Sequence, residues 1–139
     1  MMRRGCAALE SISLSRILLA DDEPDILEIS RIALETVGGF SVEVCTSGGD
    51  LLRRLPEFKP DLVIIDFLMP DLAGLELLRA VRLVPGFETI PVVFLTGVIN
   101  GDDLETLGAS GATDVILKPF DPMALADRIN GIWDTVHDC

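Results

Sequence analysis

Short apolar runs and segments with helical spacing alternate five times along the chain. The runs at residues 17–20, Leu62–Asp66 and Val92–Thr96 are apolar at almost every position before a polar end, which is typical of buried strands in a parallel sheet. A second run, 42–44, alternates apolar and polar residues and is expected to be an outer strand. A fifth run, Asp114–Leu117, is short. Repeated β-α units of this kind predict right-handed crossovers, with helices on both faces of one sheet.

A helical spacing of apolar residues follows each strand. Pro24 suits a first helical turn, Gly38 and Gly39 end that helix, and Ser47 can cap the next one. The predicted helices cover about residues 24–37, 48–56, 75–85, 98–108 and 121–136. The fourth of these segments is polar and contains glycines, so its helix is expected to be short or mobile. The residues expected in the core from the last helix are Leu125, Ile129, Ile132, Trp133 and Val136.

Polar side chains stand where these strands end. Asp21 and Asp22 follow the first strand and Asp66 ends the third. Thr96 ends the fourth strand and Lys118 follows the fifth. The carboxyl ends of parallel strands meet at one edge, which is where open α/β sheets bind ligands. Three carboxylates, a hydroxyl and an ammonium are therefore expected in one pocket.

This set of side chains favours metal-assisted phosphoryl chemistry. Carboxylates at close range repel one another, and an oxygen-only set without His or Cys favours Mg²⁺ or Mn²⁺ over Zn²⁺. A carboxylate such as Asp66 can attack a phosphorus centre and form an acyl phosphate. The compact ammonium of Lys118, one of only two lysines, suits pairing with one phosphoryl oxygen. Each position also has a simpler explanation, because a strand-end Asp often caps a helix and Thr-Gly often forms a turn.

Composition narrows the class of protein and of partner. The length of 139 residues predicts one domain, with 1–15 as a disordered arm and 16–139 as the folded unit. A net charge of −12 argues against direct binding to nucleic acid or to an anionic membrane. No apolar stretch approaches the ~18 residues that span a bilayer. The three cysteines, Cys6, Cys45 and Cys139, fit neither a metal site nor a disulfide framework, so a reducing cytoplasm is expected.

In their order and spacing, these motifs resemble the receiver domain of bacterial two-component response regulators. The matching stretches are Leu19-Ala20-Asp21-Asp22-Glu23, Ile65-Asp66-Phe67-Leu68-Met69-Pro70, Gly74-Leu75-Glu76-Leu77, Leu95-Thr96-Gly97, Gly111-Ala112-Thr113-Asp114 and Lys118-Pro119-Phe120. The resemblance covers residues 16 to about 136. It implies a flavodoxin-like α/β fold, a three-layer sandwich with a five-stranded parallel sheet in the order 2-1-3-4-5 and five helices.

The resemblance also implies a role for each site residue. Asp66 would accept a phosphoryl group from the phosphohistidine of a sensor histidine kinase. Asp22, Asp66 and the backbone carbonyl of Leu68 would hold Mg²⁺, assisted by Asp21. Thr96 and Lys118 would bind the phosphoryl oxygens, and the Lys118–Pro119 bond resembles one that is usually cis. The phosphorylated form would alter binding to a downstream effector protein or domain, with a homodimer as a further possibility.

Several positions depart from the usual pattern of the family. Val115 stands where an aromatic residue usually rotates on activation, which places the expected switch in the region 98–111 instead. Ala73 replaces a common acidic residue and Gly97 a common alanine. Leu68 and Val98, which resemble positions that flank the phosphoryl group, are apolar, so the phosphorylated form is expected to be long-lived.

Two other functions remain open on the sequence. A haloacid-dehalogenase-like phosphatase also uses a nucleophilic Asp with Lys and Mg²⁺, but its nucleophile ends the first strand and a second Asp follows two residues later. Here Asp66 ends the third strand, and Leu68 holds that second position. A receiver fold that no longer takes phosphate would be an interaction module. The chain is expected not to be an enzyme beyond its own phosphorylation and dephosphorylation.

Overall fold

The computed structural model describes residues 13–67, 69, 71–72, 74–97 and 111–136. Within this part of the chain, five strands alternate with four helices. The strands are β1 (Arg16–Ala20), β2 (Ser41–Cys45), β3 (Leu62–Asp66), β4 (Val92–Thr96) and β5 (Asp114–Leu117). The helices are α1 (Pro24–Ile32), which continues as a π-helical turn (Ala33–Val37), α2 (Gly48–Phe58), α3 (Gly74–Leu83) and α4 (Pro122–Val136).

All strand pairs are parallel, and the order across the sheet is β2-β1-β3-β4-β5. This confirms the predicted order. Every residue of β3 and β4 is buried, as their unbroken apolar sequences predicted, because both strands have neighbours on each side and helices on each face. β2 lies at an edge of the sheet and is only partly buried.

Helices cover both faces of the sheet and divide the core into two clusters. Alternate strand residues point to opposite faces, so Leu18 packs with Leu51 and Leu77 while Ile17 packs with Leu34 and Ile129. The three-layer sandwich is therefore confirmed. The buried face of α3 consists of Gly74, Leu77, Leu78 and Val81.

Helix boundaries differ from the predictions at a few points. The first helical segment ends at Val37, as Gly38 and Gly39 predicted, but its last turn is π-helical. α2 begins after Ser47, whose side chain accepts from the amide of Asp50 at 3.1 Å. It runs two residues beyond the predicted end at Pro56, because the buried Phe58 anchors its last turn in the core.

The last helix also differs from expectation at its carboxyl end. Four of the five predicted core residues are buried, and Ala126 is buried in addition, whereas Val136 is 44% exposed and does not belong to the core. The predicted helix over 98–108 and residues 1–12 of the predicted arm lie outside the described residues. Ser15 accepts a backbone hydrogen bond from Ser41 at 2.8 Å. Cys45 is a buried free thiol, and burial raises its pKa to about 12.

Candidate functional site

The register of the sheet brings the predicted site residues to one edge. Ala20 pairs with Ile65, so Asp21 and Asp66 follow neighbouring strand positions. On the other side of β3, Thr96 pairs with Leu117, the residue before Lys118. Asp21, Asp66 and Thr96 are almost completely buried. The geometry predicted for the carboxyl edge is thus present in the described residues.

Four carboxylates converge at this edge. Asp21, Asp22, Glu23 and Asp66 each place one carboxylate oxygen within 4.8 Å of the others. Asp21 and Asp66 are buried, whereas Asp22 and Glu23 are exposed. Negative charges at this range repel one another, and a hard cation with oxygen ligands relieves the repulsion. The donor set therefore fits Mg²⁺.

Lys118 is the cation that the fold itself supplies to this cluster. Its Nζ lies 2.8 Å from Asp21 Oδ2, 2.9 Å from Glu23 Oε1 and 3.8 Å from Asp66 Oδ2. Partial burial opposes the charge on the ammonium, but the carboxylates of Asp21 and Glu23 outweigh it and raise the pKa of Lys118. The amine is therefore charged and faces the acidic cluster at neutral pH.

Backbone contacts fix Lys118 at this position. Its amide donates to the carbonyl of Thr96 at 2.6 Å, and the Lys118–Pro119 peptide bond is cis, as the resemblance implied. Thr96 is 1% exposed at the end of β4. The predicted hydroxyl and ammonium thus follow adjacent strands of the sheet.

Asp21 is held by backbone hydrogen bonds on both sides. Its amide donates to the carbonyl of Cys45 at 3.2 Å, and its Oδ1 accepts from the amide of Glu23 at 2.9 Å. Its buried Oδ2 faces Lys118 Nζ at 2.8 Å, so an ammonium is the partner of this oxygen. A carboxylate oxygen at this position is a suitable ligand for a cation or for its bound water.

Glu23 belongs to this cluster, although the sequence pattern did not single it out. Its carboxylate accepts a hydrogen bond from Lys118 across the edge of the sheet. The available signal was a third consecutive acidic residue directly before Pro24, at the start of a helix.

Other predicted positions add less to the site. The backbone carbonyl of Leu68, predicted as a metal ligand, lies outside the described residues, as do Ala73 and Val98. Val115 is partly buried and packs against the same core cluster as Phe94. The space beside Gly97 would accept a Cβ without contact, so the room around this position does not require glycine.

Comparisons with known proteins agree with this architecture. Residues 17–130 match the family described as "Response regulator receiver domain". The chain is 35% identical over 114 residues to the DNA-binding response regulator MtrA of Mycolicibacterium smegmatis, covering 82% of this chain and 48% of that protein. It is 38% identical over 104 residues to the transcriptional regulatory protein KdpE of Mycobacterium tuberculosis, covering 75% of this chain and 44% of that protein.

Solved structures resemble the fold as a whole. The chemotaxis response regulator CheY4 of Vibrio cholerae superimposes with a TM-score of 0.79 at 27% identity, over 86% of this chain and 99% of that one. The chain therefore covers nearly all of that solved structure, but spans about half the length of the curated relatives named above. In the described residues, no helix is long and apolar enough to cross a membrane.

Proposed function

The chain belongs to the response-regulator receiver family, the phosphoacceptor domains of two-component systems, and we propose that Asp66 is its phosphoacceptor. The observation that carries this proposal is the position of Lys118 Nζ, 3.8 Å from Asp66 Oδ2 within a cluster of four carboxylates. The ammonium can reach an oxygen of a phosphoryl group attached to that carboxylate.

The reaction assigns a task to each residue of the site. A carboxylate oxygen of Asp66 attacks the phosphorus of a phosphohistidine, a P–O bond forms, and the P–N bond breaks with its electron pair leaving on the imidazole nitrogen. Lys118 then pairs with a phosphoryl oxygen, and the hydroxyl of Thr96 donates to another. Hydrolysis by water then releases inorganic phosphate and returns the carboxylate.

The proposed ligands of Mg²⁺ are Asp21, Asp22, Asp66 and the backbone carbonyl of Leu68. When bound, the ion neutralises negative charge on the carboxylates and on the incoming phosphoryl group. Asp21 supports this assignment because its buried carboxylate lies within the acidic cluster, within 4.8 Å of the oxygens of the other three carboxylates.

The proposed partners are a sensor histidine kinase as phosphoryl donor and a downstream effector protein or domain. The relatives named above include a DNA-binding regulator, but the net charge of −12 on this chain favours output through protein contact over direct contact with nucleic acid. A homodimer and a cytoplasmic location belong to the same proposal. The apolar Leu68 and Val98 favour slow hydrolysis of the acyl phosphate.

The phosphatase alternative is disfavoured by the position of the nucleophile. Asp66 ends β3, the central strand, rather than the first strand of the chain. The alternative of an interaction module that takes no phosphate is disfavoured because all five residues of a phosphoacceptor site are present. These residues are Asp21, Asp22, Asp66, Thr96 and Lys118.

Acetyl phosphate with Mg²⁺ provides a direct test by intact mass. The wild type is expected to gain the mass of one phosphoryl group, whereas Asp66→Asn gains none. Asp25→Asn, an exposed aspartate next to the site but outside the cluster, is the matched control and is expected to label like the wild type. Labelling of Asp66→Asn would identify another acceptor, and an unlabelled wild type would favour the interaction module.

A further inference from the structure

Lys118 divides its ammonium between two carboxylates that differ in what holds them. Asp21 is fully buried and is fixed by backbone hydrogen bonds on both sides. The side chain of Glu23 is 59% exposed and hydrogen-bonds to the ammonium at 2.9 Å. Asp66 lies farther away, at 3.8 Å. In this form of the protein, the lysine is therefore closest to residues other than the proposed acceptor.

The cost of giving up each partner is unequal. A buried carboxylate that loses its cation remains desolvated without compensation, whereas an exposed carboxylate is rehydrated. The backbone of Glu23 is also independent of its carboxylate, because its amide donates to Asp21 Oδ1 and its carbonyl accepts from Leu27 at 3.0 Å. Glu23 can thus release Lys118 by a side-chain rotation, with no change at the start of α1.

We propose that Glu23 is a positioning residue that holds Lys118 in the unphosphorylated protein and releases it to the phosphoryl group once Asp66 is modified. This inference rests on the proposed function of Asp66. A phosphoryl group adds roughly two negative charges, so it repels the Glu23 carboxylate and competes with it for the same ammonium. Asp21 keeps its contact throughout, and the exposed Glu23 is the partner that exchanges.

The exchange can be observed directly, because Lys59 and Lys118 are the only lysines in the chain. Selective ¹⁵N labelling of lysine Nζ gives two ammonium signals by NMR, and Lys59→Arg assigns them. Lys59 is exposed at the end of α2 and serves as an internal reference. Beryllofluoride with Mg²⁺ provides a non-transferable mimic of the phosphoryl group.

The Lys118 signals of the wild type and of Glu23→Gln are expected to differ before the mimic is added and to coincide afterwards. In the unmodified protein, Glu23→Gln shifts the Lys118 signal, whereas the matched charge control Asp25→Asn leaves it in place. With beryllofluoride, the wild type and Glu23→Gln give the same Lys118 shift, because Glu23 has already released the amine. A difference that persists undiminished in the presence of the mimic would overturn the proposal, as would a Lys118 signal that Glu23→Gln does not move.

A kinetic measurement tests the same competition. At saturating Mg²⁺, Glu23→Gln is expected to label with acetyl phosphate about two- to fivefold faster than the wild type, the size of a lost exposed ion pair. Asp25→Asn is expected to match the wild type. An equal or slower rate for Glu23→Gln, with normal labelling of the wild type at Asp66, would refute the role of Glu23 alone. If the wild type is not labelled by acetyl phosphate and beryllofluoride does not shift its Lys118 signal, the phosphoacceptor function is refuted as well.

Discussion

The amino ends of the strands form one edge of the sheet and their carboxyl ends form the opposite edge. Polar groups at these two edges have opposite roles. At the amino edge, the guanidinium of Arg16 donates from Nε to the carbonyl of Phe58 at 2.8 Å and lies 4.4 Å from the centre of the Phe58 ring. Asp61 Oδ2 accepts from the amides of Ser15 and Arg16 at 3.0 and 2.9 Å. Each charge at this point satisfies backbone groups that precede or begin a strand.

At the amino end of β4, side chains satisfy backbone groups in the same way. Arg82 Nη1 donates to the carbonyl of Ile90 at 2.5 Å, and Thr113 Oγ1 accepts from the amide of Val92 at 3.2 Å. Burial lowers the pKa of Arg82, which nevertheless stays charged at neutral pH. The amino edge is thus completed by the groups of the chain itself and contributes stability.

The carboxyl edge carries a surplus of negative charge. Among the described residues, four carboxylates lie together there, and the ammonium of Lys118 faces three of them. Repulsion between these carboxylates lowers the stability of the fold, and an arrangement of this kind is typical of a ligand-binding site. The comparison therefore predicts that substitutions at the amino edge change stability alone, whereas those at the carboxyl edge change stability and phosphoryl transfer together.

The largest effect is expected for Lys118→Met. This substitution removes the cation that neutralises the buried Asp21, and breaking such a pair costs about 3 kcal/mol of the free energy of unfolding. Urea denaturation without Mg²⁺ measures the loss. Mg²⁺ is expected to restore part of it, because a cation that binds only the folded state stabilises that state.

Lys59→Met is the matched control for this variant. Lys59 is exposed and lies far from the cluster along the chain, so its replacement is expected to change stability by no more than about 0.5 kcal/mol. If Lys118→Met and the wild type have the same free energy of unfolding, the carboxylates at the carboxyl edge do not depend on Lys118 for neutralisation.

A smaller loss is expected for Arg16→Met at the amino edge. It removes the guanidinium from the carbonyl of Phe58 and costs about 1–2 kcal/mol in urea denaturation. The rate of labelling by acetyl phosphate is expected to remain that of the wild type. Arg53→Met, which removes only an exposed ion pair with Asp50, is the control and changes neither quantity appreciably. Slower labelling of Arg16→Met would break the separation between the two edges.

The parts of this structure that sequence predicted are those set by strand periodicity. Five runs of strand pattern predict five strands, and parallel pairing places the polar residues at their carboxyl ends at one edge of the sheet. The strand order that brings Asp66 near Lys118 was implied by the family resemblance, and the structure has the same order. The burial of β3 and β4 followed from their apolar runs, because a strand without polar positions has no face for solvent.

The parts that sequence did not predict depend on contacts between side chains and distant backbone. The pairing of Glu23 with Lys118 joins an exposed residue to one 95 positions away, and no periodic pattern marks it. The π-helical turn at Ala33–Val37, which packs against α4, contains no proline or glycine that could have indicated it in the sequence. Asp71 caps α2 by accepting from the amide of Gly48, which is 23 residues away in the sequence. Capping rules consider only neighbouring residues, so they identified Ser47 alone.

Asp71 provides the finest test of the comparison, because it is a carboxylate near the acidic edge whose charge the fold does satisfy. Its two oxygens accept from the amides of Gly48 and Gly49 at 2.9 and 3.0 Å. These hydrogen bonds from Gly48 and then Gly49 lower the pKa of Asp71 below its usual 3.8. Asp71→Asn is expected to cost about 0.5–1 kcal/mol at pH 7, since it removes a charge from the start of a helix.

The pH dependence gives the sign of this contribution. Because the pKa is lower in the folded state, the stabilisation is complete above pH 3.8 and is lost as the pH falls through the folded-state value. The stability gap between wild type and Asp71→Asn should therefore narrow in urea denaturation as the pH is lowered from 7 to below 3.8. Ser47→Ala removes a neutral cap from the same helix, so its cost should stay constant over that range. A gap for Asp71→Asn that stays equally constant would show that hydrogen bonding, and not charge, is what Asp71 contributes.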